Sequence, residues 1–103
     1  MSRKNQYIDG KKLELDKLKT ELEEFKRKAA GTSGALKVKL EQQIRELHKL
    51  REEAGDRLER VLEASEHAWD EMKDDADRTW KAIRHSVGQL KSHFKERDDA
   101  TRK

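Results

Sequence analysis

The sequence predicts an all-α protein: an antiparallel helical hairpin or coiled coil with one short and one very long helix, assembled into an oligomer. Three observations predict it. The first is periodicity. Phe25, Leu36, Leu47, Leu58, Trp69 and Trp80 recur every eleven residues, as do Leu50, Val61, Met72, Ile83 and Phe94, and Ala54, Ser65, Ala76 and Val87. Eleven residues make three turns at about 3.67 residues per turn, so one apolar stripe follows an almost straight helix. The second is composition. Charged residues make up 46% of the chain and hydrophobic residues 32%. That is too little apolar material for a rounded globule and enough for a narrow seam. The third is the absence of proline from all 103 residues, so no position forces a helix to stop.

The first element, within residues 1–30, starts near Asn5 and ends at Ala30. Its seam is Ile8, Leu15, Leu18, Leu22, Phe25 and Ala29, with Ile8, Leu15, Leu22 and Ala29 seven apart. Lys11 interrupts that seam. Residues 31–34, Gly-Thr-Ser-Gly, form the turn. Two glycines disfavour helix by about 1 kcal/mol each. Gly31 is expected as a left-handed C-cap and Ser33 as the next N-cap.

The second helix is expected over 35–97, followed by a disordered tail at 98–103. Gly55 is the weak position, and Asp56 with Glu59 reads as a capping box. The alternative is therefore a three-helix bundle with a break near Gly55. Continuity of Leu47, Leu50, Ala54, Leu58 and Val61 on one face favours the unbroken helix. In a hairpin turning at 31–34, position i faces position 65 − i. Leu18 then meets Leu47, Leu15 meets Leu50 and Ile8 meets Leu58.

The surplus segment 62–97 has no expected partner within the chain. It carries Trp69, Met72, Ala76, Trp80, Ile83, Val87, Leu90 and Phe94, and these eight residues are the expected protein interface. The charges come in blocks. Residues 1–51 hold 14 Lys/Arg and 8 Asp/Glu, residues 52–77 hold 3 and 11, and residues 78–97 hold 6 and 1. Laid antiparallel on a copy of itself, the segment sets Asp74 and Asp75 near Arg84, and Glu66 and Asp70 near Lys91. The expected partner is thus a second copy in an antiparallel homodimer with its axis near Trp80.

Other chemistries fit less well. No cysteine is present, which excludes disulfides and thiolate chemistry. His48, His67, His85 and His93 include no i, i+4 pair of the kind that holds zinc on a helix. The acidic run from Asp70 to Asp77 lacks the glycine of a calcium loop. No cofactor, metal or catalytic residue is expected, and the chain is read as a non-enzyme. Basic residues at 78–97 could follow phosphates, but the acidic block beside them disfavours nucleic acid. A membrane surface is the stronger rival, because eleven-residue amphipathic repeats suit a lipid interface. No signal-peptide core or spanning segment is evident, so a cytoplasmic location is expected.

The stretch from Gln42 to Lys95 resembles a group of small bacterial stress-response coiled-coil proteins, known from cyanobacteria and proteobacteria. The residues that carry the resemblance are Gln-Gln-Ile-Arg-Glu-Leu at 42–47, Ala-Trp-Asp-Glu-Met-Lys at 68–73, Trp80, and Ser-His-Phe-Lys at 92–95. The group is similar in kind to late-embryogenesis and exchangeable apolipoprotein repeats. The resemblance implies a helical, stress-related protein and supplies no site residue. The glycines at 31 and 34 depart from the more continuous helix of the group. Together these readings point to an interaction or scaffold protein that self-associates through 62–97, with a heterologous protein partner left open and lipid binding as the alternative.

Overall fold

A computed structural model describes the backbone of residues 3–101 and the side chains of residues 3–94. Three helices run up, down and up: α1 (Arg3–Ala30), α2 (Gly34–Glu63) and α3 (Trp69–Thr101). They form an elongated bundle of 55 × 22 × 17 Å. α2 packs extensively against both neighbours, whereas α1 and α3 approach each other closely at few points.

Each helix forms because its buried residues recur at three and four positions. In α2 these are Leu40, Ile44, Leu47, Ala54, Leu58 and Val61. In α1 they are Ile8, Leu18, Leu22, Phe25 and Ala29. α3 contributes Trp69, Ala76, Trp80, Ile83, Leu90 and Phe94. The spacing is heptad-like, which brings one seam of each helix into a shared core. The expected register of α1 on α2 holds. Leu18 and Leu22 share one apolar cluster with Ile44 and Leu47, and Ile8 shares another with Leu58.

The first connection falls where glycine chemistry placed it, with a different detail. Gly34, not Gly31, holds the left-handed backbone, at φ 65°. Gly31 donates to the Lys28 carbonyl at 3.1 Å. Ser33 is the N-cap of α2 in extended conformation, but its side chain makes no cap bond. Thr32 is buried and its hydroxyl donates to the Ala29 carbonyl at 2.6 Å, closing the end of α1.

The single long helix expected over 35–97 is instead two helices. Three helices fit the alternative, but the break lies at 64–68 and not near Gly55. Gly55 lies inside α2, and a Cβ placed there would meet nothing within 4 Å. One glycine costs about 1 kcal/mol, which packing on both sides of α2 outweighs. The backbone helix also runs past Arg97, through 98–101, where a disordered tail was expected. The remainder of that tail, residues 102 and 103, lies outside the described residues.

Candidate functional site

The connection at 64–68, Ala-Ser-Glu-His-Ala, contains neither glycine nor proline. Its hydrogen bonds show how it is held. Ala64 donates to the Val61 carbonyl at 3.2 Å as α2 ends. The Ser65 side-chain oxygen accepts from the Ala68 amide at 3.2 Å, and the Ser65 carbonyl accepts from Trp69 at 3.1 Å. Serine here acts as the cap of the turn that leads into α3. The carbonyls left open at the end of α2 are met from elsewhere. The Lys4 ammonium of α1 donates to the Ala64 carbonyl at 2.9 Å and to the Leu62 carbonyl at 3.2 Å. A cation at a helix C-terminus satisfies both the open acceptors and the helix dipole.

The same turns of α1 grip the start of α3. The Tyr7 hydroxyl donates to the Asp77 carboxylate at 2.8 Å, and the Tyr7 ring lies 6.3 Å from that of Trp69. Two lysines thread between the rings. The Lys11 ammonium sits 5.6 Å from the centre of Tyr7 and 5.0 Å from that of Trp80. The Lys73 ammonium sits 5.7 Å from Tyr7 and 6.0 Å from Trp69. Cations over electron-rich ring faces gain about 0.5–1 kcal/mol each, more where water is excluded. Lys11 therefore does not waste a seam position. Its side chain is only 15% exposed, and it also pairs with Glu14 at 3.3 Å. Burial, then the Asp77 hydrogen bond and nearby carboxylates, push the Tyr7 phenol well above its ordinary value of 10.0. Tyr7 is therefore a neutral donor at physiological pH.

The eight residues expected as an interface are accounted for as follows. Trp69, Ala76, Trp80, Ile83, Leu90 and Phe94 are buried in the protein's own core, and Val87 packs half-buried against it. Phe94 stacks on Phe25 at 5.7 Å. Met72 points away and is 38% exposed. The premise that 62–97 lacks an intrachain partner is thus corrected: α3 folds back on α1 and α2. Eleven-residue counting placed Met72 on the stripe. The actual α3 seam uses heptad steps, which carry Lys73 inward and Met72 outward. Trp80 cannot mark a dimer axis while it is 3% exposed in a closed bundle.

Sequence reasoning missed Lys4, Tyr7, Lys11, Lys73 and Asp77 as one assembly, because their contacts span 58 to 70 residues of chain. The available local signal was Ser65 three residues before Ala68, a cap pattern without glycine. Among the described residues no group of three His, Cys, Asp or Glu could hold a metal ion. No helix among them is long and apolar enough to cross a membrane. No family model, curated protein or solved structure matches the chain.

The fold also sorts charge. The end that carries the 64–68 connection comprises residues 3–9 and 56–77, with 5 Lys/Arg and 10 Asp/Glu, net −5. The rest of the described bundle, residues 10–55 and 78–94, holds 16 Lys/Arg and 9 Asp/Glu, net +7. The protein is a basic rod with an acidic cap. Glu66, Asp70, Asp74, Asp75, Arg84 and Lys91, the charges expected to pair between copies, all remain exposed.

Proposed function

We propose that the protein is a non-enzymatic, cytoplasmic helical interaction protein that self-associates antiparallel through the charged outer face of 62–97. The stress-related setting comes from the resemblance of 42–95. The observation that carries the reading is the segregation of charge along the rod. An acidic cap laid on the basic body of a neighbour is attractive, and the same charges side by side in parallel are repulsive. Helix faces of this kind recognise a partner by charge pattern, with the apolar seam reserved for the fold.

Sedimentation equilibrium at about 0.01 M and about 1 M salt tests it, because the screening length falls from about 30 Å to about 3 Å. Association at low salt that disappears at high salt is expected, and Arg84→Glu should weaken it. A monomer at both ionic strengths would refute self-association. Lipid-surface binding is the second reading. It is favoured by the apolar stripe, which would lie along one face of an opened chain with Trp69, Trp80 and Phe94 on it. Flotation with anionic and neutral vesicles separates the two.

A further inference from the structure

The connection between α2 and α3 is a helix in waiting. At about 100° per residue, a helix continued through 64–68 would keep every buried residue of α2 and α3, from Leu40 to Phe94, within about 100° of arc. Leu58 to Trp69 and Val61 to Met72 span one eleven-residue period each, and Ser65 lies between Ala54 and Ala76 in the third row. None of the five connecting residues breaks a helix as glycine or proline would. A connection that merely reversed the chain would have no reason to preserve that phase.

We infer that the protein forms a second kind of dimer, in which α2 and α3 fuse into one helix and each copy's α3 packs on the α1 and α2 of the other. The partner is a second copy of this chain. Every core contact of α3 is retained, now between chains, and the connection gains helical hydrogen bonds. The sparse approach of α3 to α1 leaves a groove of about 390 Å³ lined by Leu18, Trp80, Ile83 and Val87, so α3 is held chiefly by α2, the helix it would continue in the exchanged form.

Two features hold the closed form. Lys4 satisfies the Leu62 and Ala64 carbonyls, which a fused helix would satisfy with its own amides. The acidic caps of the two copies meet where the fused helices cross, and their like charge opposes exchange. The inference goes beyond the proposed function. Exchange should strengthen as salt rises, whereas side-by-side association should weaken.

The test uses the full chain, which has no native cysteine. Glu21→Cys and Lys91→Cys are introduced together, at an α1–α3 ion pair of 3.8 Å. The protein is incubated at about 1 M salt, oxidised and run on a denaturing gel, with mass measured by sedimentation equilibrium. Exchange predicts disulfide-linked dimers at high salt. Lys4→Met should tighten the dimer by about tenfold, through the loss of charge-assisted bonds that exist only in the closed form. Glu66→Pro should abolish it. Proline is tolerated just after the Ser65 cap but not inside a continuous helix. A high-salt dimer with links only within each chain would overturn exchange and leave self-association standing. A monomer at high salt, with Lys4→Met monomeric too, would also overturn exchange. Dimer loss at high salt with dimer present at low salt would do the same while supporting the proposed function.

Discussion

The two connections of this bundle reverse the chain by different physics. The first, at 31–33, is local. It uses a left-handed glycine at 34 and a buried threonine that bonds back to Ala29. The second, at 64–68, is built from helix-compatible residues and is held by Lys4, sixty positions away. A turn encoded by backbone preference is fixed before the chain packs. A turn held by a distant cap exists only once the helices are in place, and it can be undone by whatever competes for the same carbonyls.

The largest expected effect lies in α3, the helix that the second connection leads into. Trp80→Ala should lower the stability of the monomer by about 3–5 kcal/mol in urea denaturation, because a buried indole is lost from the core. A variant with unchanged stability but an altered oligomeric state would return Trp80 to an intermolecular surface. Part of the cost is offset, since the buried Trp80 Nε1 finds no acceptor among the described residues.

Next comes the clamp itself. Lys4→Met keeps the aliphatic stem and removes the ammonium. A loss of about 1–2 kcal/mol is expected, discounted for partial exposure. Lys12→Met, at an exposed position on the same helix, serves as control and should change stability by less than about 0.5 kcal/mol. Equal effects would mean that Lys4 contributes nothing special to the second connection.

The glycines sharpen the contrast. Gly34→Ala should cost about 1 kcal/mol, since its φ of 65° suits glycine. Gly55→Ala should instead raise the melting temperature and stabilise by about 0.5–1 kcal/mol, because it lies in a helix with room for a methyl group. The opposite pair of signs would move the chain reversal to Gly55.

At neutral pH the smallest effect concerns Tyr7, the one tyrosine in the chain. Its folded phenol titrates above the unfolded value of 10.0, so its contribution to stability is complete below pH 10 and is lost as pH rises past it. Ultraviolet absorbance should show a single phenolate transition displaced upward. Asp77→Asn should bring it back toward the ordinary value. A transition at 10 in the folded wild type would mean that the Tyr7–Asp77 bond does not form in solution.

Much of the helical content was legible because composition and spacing act locally. Leu, Glu, Lys and Ala without proline favour helix at nearly every position, and Gly31 to Gly34 disfavour it at one place. The register of α1 on α2 followed from that turn alone, as Ile8 with Leu58 and Leu18 with Leu47 show. The second break was not legible. Local preference at 64–68 permits helix, and the eleven-residue rows run through it in phase. Gly55 drew attention because it has the weaker propensity, yet two neighbouring helices hold α2 straight there.

By itself, then, the sequence determined helices, one turn, a single apolar stripe and blocks of charge, since each depends on near neighbours in the chain. Only the tertiary structure decided where that stripe is spent. Folding α3 back buries Trp69, Trp80 and Phe94 at once within one molecule, and it lets Lys4, Tyr7 and Asp77 meet across gaps of 58 to 70 residues. Those contacts stabilise a break that local preference leaves open, because a long-range cap gains its energy only after the helices it joins have already packed.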